Sequence, residues 1–342
     1  MKKLIFPFLL LFFIGCKTGR KAPDVSNISI TVHVERFDQA LFAIDTNHVE
    51  QGLLDLGRQY PYFINDYAVN ILGTAPLSDT SVQAYFAFRK FISSYMPVKD
   101  SLDIKFSPAE GGRMAPIERG LQKGFQYIHY YFPKYNLPPK VVAYIGPFDA
   151  PGVALTRYTL AIGLQLYAGK QFPFYLSSQG QELFPVYISR RFEPEYVVPN
   201  CMKALQEDMF PDQSQGKPLI EQMVEKGKSW WLTDQLLPEM ADSLKTGFTD
   251  KQLKWCLANE GQIWNYFLDQ NLYSLEPDLI KNYIGDAPYT QGMPDASPGN
   301  IGQWVGWRIV QKYVSLHPDI SPEQLMKTPD RTIFDETRYK PK

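Results

Sequence analysis

The stretch "VVAYIGPFDAPGVALTRYTLAIGLQLYAG", residues 141–169, decides the fold class of this 342-residue chain. β-Branched and other apolar residues fill the run 141–145 and much of the run 153–166, and the segment between them is rich in glycine and proline. Apolar runs bounded by such turn-forming residues predict β-strands. We therefore expect one strand at 141–145 and one or two strands within 153–166.

Before this stretch, apolar residues recur at helical spacing. Residues 48–73 predict a helix to about Tyr60, a break at Pro61 and a second helix. Residues 79–96 and 115–135 predict two further helices, the second with an apolar stripe along one face. We expect helices to predominate on this side of the sheet.

After the stretch, the chain is again typical of helices from Gln179 onward, and the last clear one has Ser321 as its cap and Pro322 at its first position. The segment "ISITVHV", residues 28–34, alternates apolar and polar residues and predicts one more strand. The chain holds no repeats and no long low-complexity linker. The sequence therefore predicts an α+β fold, a helix-dominated single domain with a small central sheet, over residues 28–342.

The N-terminal segment "LLLFFIGCKTGRK", residues 9–21, predicts a lipid anchor. Its apolar run, Leu4–Ile14, has only eleven residues, whereas a membrane-spanning helix needs roughly 20. Two lysines precede the run, as in secretory signals, and Gly15 stands before Cys16 as in a bacterial lipobox. We expect a lipoprotein signal peptide at 1–15 and an acylated Cys16, since two or three buried acyl chains make a stable anchor.

The polar segment that follows indicates where the domain is held. Residues 16–27 carry glycine, proline and basic side chains without apolar periodicity, and are expected to form the lipidated N-terminus and a flexible tether. The basic side chains favour anionic headgroups. No acidic pair follows the cysteine, which favours an outer-membrane anchor facing the periplasm over the cell surface.

Charge and composition narrow the range of partners. The net charge is -1 at pH 7, which argues against nucleic acid and polyanions as partners. Aromatic residues make up 14% of the chain, a proportion typical either of a large aromatic core or of an interface. The composition alone does not choose between these two.

Two cysteines remain beyond the anchor, Cys201 and Cys256. In an oxidising periplasm they are a candidate disulfide that closes a long loop. The alternative is two separate buried thiols that act as small apolar residues. Neither lies in a CxxC pair, so redox catalysis and structural zinc are not expected.

The sequence holds few signs of catalysis. It has no histidine spacing typical of metal sites, no G-x-S-x-G elbow and no glycine-rich phosphate loop, so we expect no metal and no cofactor. Paired carboxylates can divide acid–base work, but Glu193 with Glu195 and Glu221 with Glu225 lie beside basic residues and are expected to be ion-paired or solvated. If the chain is a hydrolase, Glu225 and Glu260 are the carboxylates that would serve it.

The most distinctive helix is "SPGNIGQWVGWRIVQKYV", residues 297–314. Ser297 is expected to cap it and Pro298 to open it. Gly302 and Gly306 lie one turn apart, which predicts close approach of a neighbouring element.

The same helix carries a candidate binding surface. Trp304 and Trp307 are three residues apart and therefore neighbours on the helix surface, with Arg308 next to them. One interpretation is a buried core helix. The other is the aromatic wall of a cleft, in which Arg308 is a fixed donor.

Five segments carry a resemblance to a known family. They are "RFDQALF", "AIGLQLYAGKQFPFY", "GKSWWLTDQLLP", "WCLANEGQIWNYF" and "SPGNIGQWVGWRIVQKY", in this order along the chain. Together with the lipobox they resemble the GldB family of gliding-motility lipoproteins of Bacteroidota. The resemblance implies an envelope lipoprotein needed for surface gliding, partners in the motility or secretion apparatus, and no established enzymatic activity.

A weaker resemblance links the chain to predicted zinc peptidases with an HExxH helix. The chain keeps their C-terminal segment as "QWVGWRIVQKY", but Asn200, Cys201 and Ala204 stand where those peptidases have His, Glu and His. Lys226 stands where they have the third ligand, a glutamate. Asn200 and Ala204 are poor or impossible zinc ligands, and the ammonium of Lys226 would repel the cation. The resemblance therefore implies a degenerate zincin-like scaffold that has lost its metal site.

Two functions therefore follow from the sequence. The first is a lipid-anchored, non-enzymatic component of the gliding machinery that binds or stabilises partner envelope proteins. The alternative is an envelope hydrolase that acts on peptide or peptidoglycan through Glu225 and Glu260.

Overall fold

A small mixed sheet forms the buried centre of the residues that the computed structural model describes, 22–77, 82–107 and 112–341. Its four strands are β1 (Val34–Arg36), β2 (Lys140–Tyr144), β3 (Val153–Leu155) and β4 (Thr159–Gly163). They lie in the order β1-β2-β4-β3, with β3 antiparallel at one edge and the other three parallel. The strand expected at 141–145 is confirmed as β2, and of the one or two strands expected within 153–166 the structure has two, β3 and β4.

The two inner strands explain why this stretch does not alternate. Every residue of β4 is buried, and so are all residues of β2 except Lys140. A parallel strand that is covered on both faces needs apolar or small residues at successive positions. The continuous apolar runs in the sequence are therefore explained by the burial of β2 and β4 on both faces.

Helices predominate before the sheet, as expected. They are α1 (Phe37–Phe42), α2 (Val49–Gln59), α3 (Ile64–Asp66), a π-helical turn Tyr67–Ile71, α4 (Val82–Lys105) and α5 (Met114–Tyr131). The predicted break at Pro61 separates α2 from α3. Together with the sheet, these helices confirm the α+β class.

Twelve further α-helices follow the sheet within the described residues. They are α6 (Pro173–Leu176), α7 (Ser178–Leu183), α8 (Val186–Ser189), α9 (Val197–Met209), α10 (Leu219–Leu236), α11 (Asp242–Thr246), α12 (Asp250–Ala258), α13 (Glu260–Asp269), α14 (Pro277–Ile284), α15 (Ile301–Leu316), α16 (Pro322–Lys327) and α17 (Asp330–Thr337). Ser321 caps α16 through its hydroxyl and Pro322 opens it, as predicted.

Aromatic rings join the first helices to the sheet. Phe37 and Phe63 lie 4.9 Å apart, and Phe63 lies 5.9 Å from Tyr144 of β2. The hydroxyl of Tyr67 in the π-helical turn donates to the carbonyl of Ile145 at 2.7 Å. Much of the aromatic content of the chain therefore lies in the core.

Helices α10 and α15 touch through their backbones. A Cβ placed on Gly306 would lie 1.6 Å from the carbonyl oxygen of Met223, and one placed on Gly227 would lie 2.2 Å from the carbonyl carbon of Gly306. At Gly302 the nearest atom would be the carbonyl oxygen of Tyr283, at 2.8 Å. The predicted close approach at Gly302 and Gly306 is confirmed.

Three local predictions need correction. Residues 28–34 alternate in burial, but the strand covers only Val34–Arg36, because β2 offers partners only from Val141 onward. α15 begins at Ile301 after Asn300 in a left-handed conformation, so Ser297 is not its cap. The Ser297 hydroxyl instead accepts from the backbone N–H of Thr290.

The third correction concerns the tether. Val25 is fully buried, although residues 16–27 were expected to be flexible. The hydroxyl of Tyr127 also donates to the carbonyl of Pro23 at 3.4 Å. Packing therefore begins about three residues before the boundary expected at 28.

The predicted signal peptide 1–15 and Cys16 lie outside the described residues. Among the residues that are described, no helix combines the length and the apolar character needed to cross a bilayer.

Candidate functional site

A cavity of about 350 Å³ lies between the edge strand β3 and helix α9. Such a volume is within the range of sites for small ligands or single side chains. It is lined by Gly152, Val153, Leu166, Tyr167, Phe192, Asn200, Lys203 and Ala204. The lining is apolar apart from three side chains, those of Tyr167, Asn200 and Lys203.

Lys203 is an unusual lysine for a folded protein. Its ammonium makes no hydrogen bond or ion pair with any residue in the described ranges, although its side chain is partly buried. Burial, with a smaller contribution from the positive charge of Arg191, lowers the pKa of Lys203 to about 8, and the charge of Asp286 opposes this shift. The side chain is therefore still mainly charged at neutral pH and lacks a counter-ion of its own.

Asp286, the acidic group whose charge acts on Lys203, already has other partners. Both oxygens of Asp286 have partners, since Arg191 Nη2 lies 2.9 Å from Oδ2 and the amide of Asn300 donates to Oδ1 at 3.1 Å. Asp286 thus neutralises Arg191 rather than Lys203. The cavity keeps a positive charge that an anionic ligand can neutralise.

Tyr167 supplies a second donor to the cavity. It is buried, and its hydroxyl accepts a hydrogen bond from the amide of Asn200 at 3.1 Å. Burial raises the pKa of Tyr167 well above its ordinary value, so the hydroxyl keeps its proton. That proton has no acceptor among the described residues, which leaves it available to a ligand oxygen.

The strand beside the cavity has an open edge. In the antiparallel pair of β3 and β4, Gly163 N donates to Gly152 O and Thr156 N donates to Thr159 O. In such a pair the backbone groups of successive residues point alternately toward the partner strand and away from it. Val153 and Leu155 consequently point their backbone N–H and C=O groups away from β4. These groups make no hydrogen bond with other described residues, and Val153 also lines the cavity.

An exposed apolar surface adjoins the cavity, and we call residues 172–188 the apolar lobe. Leu176, Leu183 and Val186 have between 46% and 64% of their surface exposed. Stacking of Phe174 on Phe148 at 3.6 Å fixes the lobe to the sheet loop. Its Phe184 ring packs against Phe192, the aromatic wall of the cavity, at 4.9 Å.

A comparison with known protein families shows which family the chain belongs to. A family model described as "Gliding motility protein GldB" matches residues 18–341, nearly the whole sequence. The chain belongs to this family. Neither the curated proteins nor the solved structures gave a match. The resemblance to the GldB family is confirmed, and membership of this family makes the protein a gliding-motility-related lipoprotein associated with the cell envelope.

The GldB-family chain also has a larger depression, of about 430 Å³, beside α2 and α4. Two of its polar side chains, those of His48 and Arg89, already have partners. His48 Nδ1 lies 2.8 Å from Asp45, and Arg89 donates to Asn47 at 3.4 Å. Its carboxylate, that of Glu50, belongs to an exposed residue, whereas Lys203 is partly buried. The smaller cavity at Lys203 therefore offers the stronger chemistry for a ligand.

The candidate surface on α15 proves to be part of the core of the GldB-family domain. Trp304 and Trp307 are 1% and 6% exposed, so they present no aromatic surface to a partner. The indole N–H of Trp307 donates to Asp234 at 3.0 Å. Arg308 is held by Glu260, with its Nε 2.7 Å from the carboxylate. The interpretation of a buried core helix applies here, because α15 packs on α10 along its glycine face.

Glu225 and Glu260 lie in separate networks. Glu225 is 2.5 Å from Lys228, which also contacts the buried Asp330 at 2.8 Å. Glu260 accepts from Arg308 and from the hydroxyl of Tyr339. Each carboxylate is thus engaged with its own partners rather than with the other.

The positions that resemble a zinc site have other contacts. Asn200 donates to Tyr167, Cys201 is buried, and Lys226 lies 2.6 Å from Asp212. No group of three or more His, Cys, Asp or Glu side chains within the described part of the chain is placed to hold a metal ion. Cys201 and Cys256 are free buried thiols, which is the alternative to a disulfide, and burial raises the pKa of Cys256 to about 12.

Proposed function

We propose that this GldB-family protein is an outer-membrane lipoprotein, held on the periplasmic side by acylated Cys16, whose domain binds or stabilises another envelope protein of the gliding or secretion machinery. The apolar lobe carries this proposal. Three aliphatic side chains stand exposed on a run of short helices, next to a cavity with an uncompensated charge. Apolar surface beside a few placed polar groups is typical of protein interfaces.

Site-specific crosslinking tests the partner. A photoreactive residue at Leu183 or Val186, in the full chain in gliding cells, is expected to capture an envelope motility or secretion protein. Leu316 on α15 is the matched control, because it is 48% exposed and lies outside the lobe. Capture of the same proteins from all three positions, or of no envelope protein from the lobe, would contradict the proposal.

The anchor is tested separately. Cells fed a labelled palmitate analogue are expected to label the wild-type protein and not Cys16→Ser, and the variant should leave the membrane fraction. Labelling of Cys16→Ser at the wild-type level would show that the lipid is attached elsewhere.

The proposal assigns no catalysis to the domain. Cells whose only copy carries Glu225→Gln and Glu260→Gln are therefore expected to glide. Loss of gliding with normal accumulation of the variant would instead favour a hydrolase.

A further inference from the structure

We infer that the cavity between β3 and α9 receives an acidic side chain of the partner protein, presented by an extended segment that pairs with the open edge of β3. The inference rests on the proposed function, because it specifies the chemistry of the partner's contact. It commits to a peptide strand as the occupant rather than to a free small molecule.

The edge of β3 supplies the reason for an extended segment. Val153 and Leu155 each present a backbone donor and acceptor that the sheet does not use. An added strand satisfies such groups with main-chain hydrogen bonds, and pockets for alternate side chains then give specificity. Because side chains alternate across a strand, every second residue of the added segment faces the side of the sheet on which α9 lies.

The lining of the cavity supplies the reason for an acidic side chain. The ammonium of Lys203 and the hydroxyl proton of Tyr167 are both without acceptors among the described residues. A carboxylate accepts from both, and its charge compensates the lysine. A neutral amide of the same shape still accepts a hydrogen bond but leaves the charge of Lys203 uncompensated.

The surroundings of the cavity indicate the rest of the segment. Phe192 forms its wall and packs against Phe184 of the apolar lobe. Val153, Leu166 and Ala204 add further apolar surface. The segment is therefore expected to carry apolar residues two positions before and two positions after the acidic one, since these face the same side of the sheet.

Two peptides test the inference directly. The probes are acetyl-Val-Ser-Glu-Ser-Val-amide and its counterpart with Gln in place of Glu, titrated into the full chain in detergent. A charge-assisted hydrogen bond gained by the Glu peptide predicts roughly tenfold tighter binding or more. Lys203→Met is expected to reduce this preference to less than about twofold, whereas Lys251→Met, which removes an exposed lysine on α12, should leave it unchanged.

A backbone variant tests the strand pairing. Val153→Pro removes an N–H that β4 does not use, and proline is tolerated on edge strands. This variant is expected to weaken the binding of both peptides, while its circular dichroism spectrum stays that of the wild type. Equal binding of the two peptides by the wild type, a preference that survives Lys203→Met, or no binding of either peptide at millimolar concentration would overturn the inference.

Failure of the inference and failure of the proposed function give different results. If crosslinking from Leu183 captures an envelope partner equally well in wild type and in Lys203→Met, and the peptides show no preference, the partner exists but does not use the cavity. If the peptides bind as expected but no envelope protein is captured, the cavity binds acidic segments and the proposed partner is wrong.

Discussion

Two lysines in adjacent helices show how surroundings decide the role of a residue. Lys228 is 4% exposed and has Glu225, Asp330 and two backbone carbonyls as partners. Removing one partner of such a buried group leaves an uncompensated charge in the core, so Lys228 has a structural role. Lys203 has no such partner within the described residues. Its charge is therefore available for binding.

Glu225 should make stability depend on pH. Burial, together with the hydrogen bond to Asp330, raises the pKa of Glu225 from 4.5 to about 7, and Lys228 opposes this shift. The folded state therefore holds the proton more tightly than the unfolded state. This contribution is complete below about pH 4.5 and is lost as the pH rises through about 7.

The measurement is urea unfolding of wild type and Glu225→Gln at pH 5 and pH 8. Relative to the variant, the wild type is expected to lose up to about 3 kcal/mol of unfolding free energy between these pH values. Glu182→Gln, which changes an exposed carboxylate on α7, is the control. A difference between wild type and Glu225→Gln that does not change with pH would refute the assignment.

Local sequence signals predict features that depend on neighbouring residues, such as the start of a helix, but not features that depend on tertiary contacts, such as a lysine without an ion-pair partner. Ser321 and Pro322 start a helix as predicted, because a cap needs only its own first turn. Lys203 cannot be recognised in this way, because a lysine four residues before Glu207 on a helix is the spacing of an ordinary ion pair. In the structure, Glu207 instead accepts from the backbone N–H of Asp212 at 3.0 Å.

At the scale of elements, the contact of α10 with α15 gives a direct prediction. Gly306→Ala should destabilise the domain by about 3 kcal/mol or more, because overpacking at a backbone contact forces the two helices apart. The added Cβ would lie 1.6 Å from the carbonyl oxygen of Met223, which has no flexible end to move. Thermal or urea unfolding measures the loss.

Gly57→Ala is the matched control for Gly306→Ala. It also lies in a helix, but its added Cβ would meet only Leu77, at an ordinary 3.6 Å. Because alanine favours helices, this variant should be neutral or more stable by about 0.5–1 kcal/mol. If both variants behave alike, the two helices are not in backbone contact.

The elements also show where periodicity stops being informative. Residues 28–34 do alternate in burial, with Val32 and Val34 buried and His33 exposed. Only the last of these residues joins the ladder, since the neighbouring strand is short. Alternation therefore predicted the buried face correctly but not the extent of pairing, which the partner strand sets.

For the whole molecule, fold class and family were within reach of the sequence, whereas the cavity was not. The apolar runs of the inner strands, within 141–145 and at 159–163, reflect burial on both sides of the sheet, which can be read from composition. The cavity forms where α9 packs beside the edge of β3. Its unpaired charge arises because Asp286 forms an ion pair with Arg191 and not with Lys203. No single segment carries that information.

The last prediction separates the anchor from the domain. Removal of residues 1–21 should yield a soluble protein with the unfolding free energy of the full domain, because Val25 is the first buried core residue in the part of the chain that the structure describes. Removal of residues 1–30 should cost about 3 kcal/mol or more, since Val25 loses its burial and Ile28 loses both its packing and the hydrogen bond from Gln126 to its carbonyl. Urea unfolding of the two truncated proteins measures the difference. Equal stability would mean that the segment 22–30 adds nothing to the fold and that the tether extends to the start of β1.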